Sequence, residues 1–343
     1  MDNKLQSNYT HLQRSFGSLN SNNSTPFSDC SGDYSPPTFS DSSDECVIDH
    51  LVSSLQSLSI DDQKQAAMEL RLLAKHNSDN RIRIARAGAI KPLISLILSA
   101  DSQLQEHGVT AVLNLSLCDE NVKLMISSGV VSPLVKALRS GNQTARENAA
   151  CALLRLSQFE DNRKLIGRSG AIEPLVKLLE TGNIRGKKDA CTALYSLCSV
   201  KDNRIRAVGA GIMKVLVELM ADFGSNMVDK CGFVMSLLVV EMEGRVAVVE
   251  EGGIPVLVEI IEVGSQRQKE IVVAILLVLC EESLVYRRMV AREGAIPPLI
   301  ELSQCGTTRA RHKAETLIEL LRRPKSANTS STSTSSDGSP GRD

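Results

Sequence analysis

Hydrophobic and polar positions recur along the middle of this chain with one long, fixed period. The segments Gly88-Ala-Ile-Lys-Pro-Leu93, Gly129-Val-Val-Ser-Pro-Leu134, Gly170-Ala-Ile-Glu-Pro-Leu175, Gly211-Ile-Met-Lys-Val-Leu216, Gly252-Gly-Ile-Pro-Val-Leu257 and Gly294-Ala-Ile-Pro-Pro-Leu299 align, with glycine spacings of 41, 41, 41, 41 and 42. A fixed period of this size predicts a helical solenoid, in which each unit buries its apolar face only by stacking on its neighbours.

The residues inside one period predict three helices. An asparagine (Asn80, Asn121, Asn162 or Asn203) stands eight residues before the glycine and is expected to cap a short first helix by accepting from an orphan backbone N–H. The glycine ends that helix in a left-handed turn. Pro92, Pro133, Pro174 and Pro298, or Pro255 and Pro297 one position earlier, suit the first turn of a second helix, which continues as Leu134, Val135, Leu138. A polar break such as Ser140-Gly-Asn leads into the longest helix, Gln143 to Ser157, with Ala149, Ala152, Leu153 and Leu156 at helical spacing.

Counting backwards, residues 46–78 supply the second and third helices of a partial leading unit, with Asp61 placed just before its longer helix. Residues 46–323 thus form the partial unit and six full units of about 41 residues. Residues 1–45, rich in Ser, Asn and Asp and without a sustained apolar period, and residues 324–343, Ser/Thr-rich with nothing apolar larger than Ala, are expected to be disordered tails. The fold class is all-α, a right-handed superhelix.

A three-helix unit with this glycine resembles the armadillo repeat. Glu69-Leu-Arg-Leu-Leu-Ala-Lys-His-Asn-Ser-Asp-Asn-Arg81, Arg185-Gly-Lys-Lys-Asp-Ala190 and Met227-Val-Asp-Lys230 are further similar to the repeat domain of plant U-box ubiquitin ligases. That family carries a U-box ahead of its repeats, which recruits the ubiquitin-conjugating enzyme. The residues before the first repeat helix here lack the Cys-Pro-Ile and Cys-Pro elements of a U-box, so the resemblance implies the substrate-binding half without the catalytic half.

Armadillo proteins bind partners along a concave face lined by the third helices. In the import receptors of this class, paired Trp and Asn side chains grip a basic peptide. The Trp-equivalent positions here are Thr110, Cys151, Thr192, Phe233 and Ala274, and the Asn-equivalent ones Asn114, Arg155, Ser196, Leu237 and Val278. One Asn and no Trp argue against import-type binding. Over the third helices thirteen basic residues, among them Arg146, Arg155, Arg185, Lys187, Lys188, Arg309 and Arg311, face seven acidic ones. This surplus predicts a basic stripe that prefers acidic or phosphorylated segments. Residues 1–45 hold two basic and six acidic residues, so that tail is a candidate competitor for the stripe. Thr25-Pro26, Ser35-Pro36 and Ser339-Pro340 are candidate phosphorylation sites in the tails.

Composition narrows the function. Formal charge is −1 and aromatics are 3% with no Trp, so the molecule has no bulk attraction for nucleic acid or anionic lipid, and its core must be Leu, Ile, Val and Ala. No apolar run reaches membrane-spanning length, and neither a leader nor a membrane anchor is expected. Nine cysteines without a CxxC, and five scattered histidines, predict small core residues in a reducing compartment rather than a metal site. No phosphate loop or nucleophile motif occurs, and no cofactor is expected. The expectation is a non-catalytic protein-binding scaffold of the cytoplasm, with the nucleus as a second compartment, linked to ubiquitin signalling. The rival readings are a ligase component that acts through a partner and, less favoured, a peptide import receptor.

Overall fold

The computed structural model describes residues 41–323, the first four by backbone alone. The candidate phosphorylation sites Thr25, Ser35 and Ser339 lie outside the described residues. Two helices, α1 (Asp41–Ser54) and α2 (Ile60–His76), lead the chain. The first full unit is α3 (Ser78–Arg86), α4 (Ile90–Ile97) and α5 (Ser102–Leu115), and the second is α6 (Asp119–Ser127), α7 (Val131–Ser140) and α8 (Gln143–Ser157). Then come α9 (Glu160–Arg168), α10 (Ile172–Thr181) and α11 (Ile184–Leu197), followed by α12 (Lys201–Gly209), α13 (Ile212–Ala221) and α14 (Val228–Leu238). The last two units are α15 (Met242–Glu250), α16 (Gly253–Val263), α17 (Gln266–Glu282) and α18 (Leu284–Arg292), α19 (Ile296–Cys305), α20 (Thr308–Arg322). The described residues contain no strand, and the molecule is an armadillo-type solenoid.

All six repeat glycines take a positive φ, between +71° and +87°, the left-handed turn that the spacing predicts. At Gly88, Gly129, Gly211, Gly252 and Gly294 an added Cβ would meet nothing within 4 Å. Glycine is therefore required there by backbone conformation and not by crowding. The core runs unbroken through the stacked units and consists of Leu, Ile, Val and Ala with buried Cys151, Cys191, Cys198, Cys231 and Cys280. Burial pushes the Cys151, Cys198 and Cys280 thiols up to about 12, which makes them inert packing groups at neutral pH.

Three local expectations are corrected. Helix α1 begins at Asp41, inside the stretch assigned to the N-terminal tail, and Asp61 lies within α2, whose cap is Ser59 accepting from the Asp62 N–H. The repeat asparagines do not cap their helices. Asn203 is fully buried, and its Nδ2 donates to the carbonyls of Leu197 and, one unit back, Arg163, each at 3.0 Å. Asn121 does the same with Leu115 (3.1 Å) and Arg81 (3.0 Å). Side-chain caps stand before five third helices, where Asp101, Asn142, Asn183, Ser265 and Thr307 accept from backbone N–H groups, and before two first helices, at Asn77 and Ser283.

A second periodic device was not anticipated. In five of the six full units an arginine of the first helix folds back onto the last carbonyls of the preceding third helix. Arg81 donates to Ala74 and Lys75, Arg163 to Ser157 and Gln158, Arg204 to Cys198 and Ser199, Arg245 to Val239 and Val240, and Arg287 to Cys280 and Glu281. These carbonyls are the orphan acceptors and negative dipole end of a helix, so a guanidinium fork satisfies both at once. In the second unit Val122 occupies this position.

Candidate partner-binding groove

The third helices α2, α5, α8, α11, α14, α17 and α20 pack side by side in one layer, the wall on which the sequence places the groove. The outward positions predicted from the import-receptor alignment are mostly not open on that wall. Thr110, Cys151, Thr192, Ala274 and Leu237 are buried, Phe233 is 1% exposed and Asn114 is fully buried. They fasten one third helix to the next. Asn114 Nδ2 donates to the Arg71 carbonyl at 2.9 Å, Ser196 Oγ to the Ser157 carbonyl at 2.9 Å, and Asn148 Nδ2 to Thr110 Oγ1 at 2.9 Å. Phe233 meets Tyr195 edge-on at 6.3 Å and carries the Arg267 guanidinium 5.5 Å above its ring, a cation–π contact that ties three units together.

The side chains that reach the wall sit a turn earlier on each helix. Arg185 is exposed while Lys188, Asp189 and Arg267 are half-buried. Arg185 Nη2 donates to Asn148 Oδ1 at 3.1 Å, and its Nε lies 3.9 Å from Asp189 Oδ2. Lys230 reaches Thr192 Oγ1 at 3.3 Å. Burial lowers the pKa of the Lys230 ammonium, and neighbouring Lys188 lowers it further. Burial pushes the Asp189 carboxyl up to about 6, against the pull of Arg185 and Lys230. Arg185 and Lys230 thus act on one half-buried, reluctant carboxylate that buried Glu147 pushes up further, and Lys188, beside Lys230, has no ion-pair partner among the described residues.

Elsewhere the expected basic stripe is interrupted. Arg267 pairs with Asp229 at 3.5 Å, half-buried Arg155 lies 3.7 Å from Asp119, and Glu270 accepts from Thr307. Lys187 faces Glu180 and Cys231. Arg146 lines a cleft of about 400 Å³ among Arg139, Glu173, Lys177 and Lys214 of the second-helix layer, away from the third-helix wall. Arg309 and Arg311 are exposed on α20. The cationic surplus is therefore concentrated at the α11–α14 seam and at the C-terminal end.

Among the described residues no group of three or more metal-ligating side chains occurs, and no helix is long and apolar enough to cross a membrane.

Residues 47–336 match the family model of the plant U-box protein ARM repeat region. U-box domain-containing protein 4 of Arabidopsis thaliana is 69% identical over 239 residues, 70% of this chain and 29% of that protein. U-box domain-containing protein 14 of the same plant is 58% identical over 283 residues, 82% of this chain and 45% of its own length. The chain thus spans less than half the length of these relatives. The crystal structure of an engineered protein superposes with a TM-score of 0.68 at 25% identity, covering 80% of this chain and 68% of that one. The glycine-hinged triplets, the stacked third helices and the family match converge on one conclusion: the chain belongs to the armadillo-repeat family of plant U-box proteins.

Proposed function

We propose that the chain is a non-catalytic scaffold that holds a partner polypeptide along its third-helix wall, and that acidic or phosphorylated side chains of the partner seat at Arg185, Lys188 and Lys230. The observation that carries this reading is the pair of cations, Arg185 and Lys230, beside one half-buried carboxylate whose charge is disfavoured, with Lys188 next to Lys230. An incoming carboxylate or phosphate supplies the counter-charge that Asp189 supplies poorly, through charge-assisted hydrogen bonds. An open wall offers no closed pocket in which reacting groups could be desolvated, which favours binding over catalysis. The names of the relatives link the reading to ubiquitin signalling.

The test is fluorescence anisotropy with a labelled Asp/Glu-rich peptide and its Asn/Gln counterpart. The acidic peptide should bind more tightly, and Arg185→Glu with Lys188→Glu should abolish the difference. Lys188→Ala should leave stability within about 0.5 kcal/mol, as a surface residue does. Equal binding of the two peptides refutes the anionic preference. Removing residues 1–45 should tighten binding at low salt if the acidic tail competes. Ubiquitin chain formation by the purified chain with activating and conjugating enzymes alone would overturn the non-catalytic reading.

A further inference from the structure

The fourth residue of a third helix has a recurring task. Gln105 of α5 donates through Nε2 to the Ile97 carbonyl at 3.0 Å, and Lys269 of α17 donates through Nζ to the Glu262 carbonyl at 2.9 Å. Each closes the C-terminal end of the second helix before it, where carbonyls lack intrahelical partners. Arg146 stands at the same place in α8 and makes no such bond. Its Nε is shut off from water without an acceptor, and Arg146 has no hydrogen bond or ion pair among the described residues. A guanidinium donor left unused out of water costs the fold stability, and an acceptor from outside would relieve that cost.

The cleft that Arg146 lines has room for one. Its volume of about 400 Å³ falls within the range of about 300–1,000 Å³ found for small-ligand sites. Its charge is uneven, with Arg139, Arg146, Lys177 and Lys214 against Glu173 and Glu180. Arg139 takes Glu173 at 3.3 Å and Lys177 takes Glu180 at 2.8 Å, which leaves Arg146 and Lys214. Lys214 comes no nearer than 4.0 Å to Glu218. The Lys177 hydrogen bond first, and then Lys214 and Lys187, hold the Glu180 carboxyl below its usual range, so Lys187 is a further cation at the rim. With Glu218 and Lys187 included, five cations face three carboxylates, and the surplus is still two. Between the charges the wall is aliphatic, through Leu138, Pro174, Val176 and Val215.

We infer that the cleft between α7, α10 and α13 is a second binding site, apart from the third-helix wall, for a small phosphate monoester whose organic part is compact and apolar. Arg146 offers a planar fork that matches phosphate oxygens, and Lys214 supplies the second charge that a dianion needs. The aliphatic wall takes the organic part.

The probe is phenyl phosphate, titrated into the full chain by isothermal calorimetry at about pH 7.5, above a second phosphate pKa of about 6. Phenyl sulfate, a monoanion of the same shape, and inorganic phosphate are the controls. Phenyl phosphate should bind one site at least ~5-fold more tightly than either control, since only it carries both the second charge and the ring. Arg146→Gln, which installs the residue that the first full unit carries there and so preserves the fold, should weaken it ~10-fold or more. Lys214→Gln should weaken it about 3-fold. Arg185→Glu with Lys188→Glu should leave that affinity unchanged, which separates the cleft from the groove. A glycine-flanked phosphoserine peptide should compete less well, because it brings no apolar group. Absence of saturable binding, equal affinity for either control, or unchanged binding to Arg146→Gln overturns the inference. So does tighter, Arg146-dependent binding of the phosphoserine peptide, since the cleft would then serve a polypeptide and not a small molecule.

Discussion

Replacing Asn203 by Asp separates the two roles open to the repeat asparagine. A helix cap accepts a hydrogen bond, and Asp caps as well as Asn, so under that role Asn203→Asp is neutral. In the structure Asn203 donates instead, its Nδ2 lying 3.0 Å from the carbonyls of Arg163 and Leu197, while its Oδ1 accepts from Arg206 at 3.1 Å. A carboxylate keeps the shape and loses both donors. Each lost hydrogen bond costs about 0.5–1.5 kcal/mol, since the Leu197 carbonyl keeps the Val200 N–H at 3.1 Å, and the strengthened bond to the Arg206 guanidinium returns about 1 kcal/mol. Desolvating the new charge adds several kcal/mol more if it stays ionised. The expected loss is therefore at least about 3 kcal/mol, measured by guanidinium melts at pH 7. Amide exchange should place the loosening at α12 and the start of the seam before it. A variant within about 0.5 kcal/mol of the parent would refute the bridging role.

Four further outcomes test the same architecture. Gly170→Val, at φ +79° with only an Arg139 nitrogen 3.8 Å from the added Cβ, should cost about 2 kcal/mol or more through backbone strain alone. Gly167→Ala should cost about as much for a different reason, since its Cβ would occupy the place of the Asn203 side chain, and chemical melts of Gly167→Ala in an Asn203→Ala background should show the penalty shrink. Arg204→Met removes the fork that holds Cys198, Ser199 and, at 2.7 Å, Glu241; about 3–5 kcal/mol should be lost, with partial recovery when Glu241 is also replaced by Gln. Because burial raises the Asp189 carboxyl from 3.8 to about 6, the native state holds its proton where the unfolded chain has released it, so stability should fall as pH rises from about 4 to about 6. Asp189→Asn should flatten that slope in melts across the window, and an unchanged slope would assign it to other groups.

Much of the scaffold was legible in the residues. Six glycines at a fixed period set the left-handed turns, and Ser140-Gly-Asn marked the start of α8, where Asn142 does cap the helix. The asparagine before each glycine was equally visible, but its hydrogen-bonding direction was not. An amide both donates and accepts, and only the position of the neighbouring unit decides between them. The arginines at positions 81, 163, 204, 245 and 287 obey the same period and could have been found by it. They passed as part of a generally basic stretch because their targets are backbone carbonyls, which leave no trace in the sequence. The groove was the least legible part. In a solenoid a third helix presents one flank to the wall and the other to its neighbours, and both follow a helical period. Thr192 and Lys188, one turn apart, therefore look alike in sequence although one is buried and the other is half-open.

Val122 stands where five other units place an arginine, so the end of α5 is joined to α6 by the Asn121 bridge without a guanidinium fork. A rod riveted at every joint but one does not flex evenly. Under load the angle should open first at the unriveted joint, near residues 115–122, rather than evenly along the length.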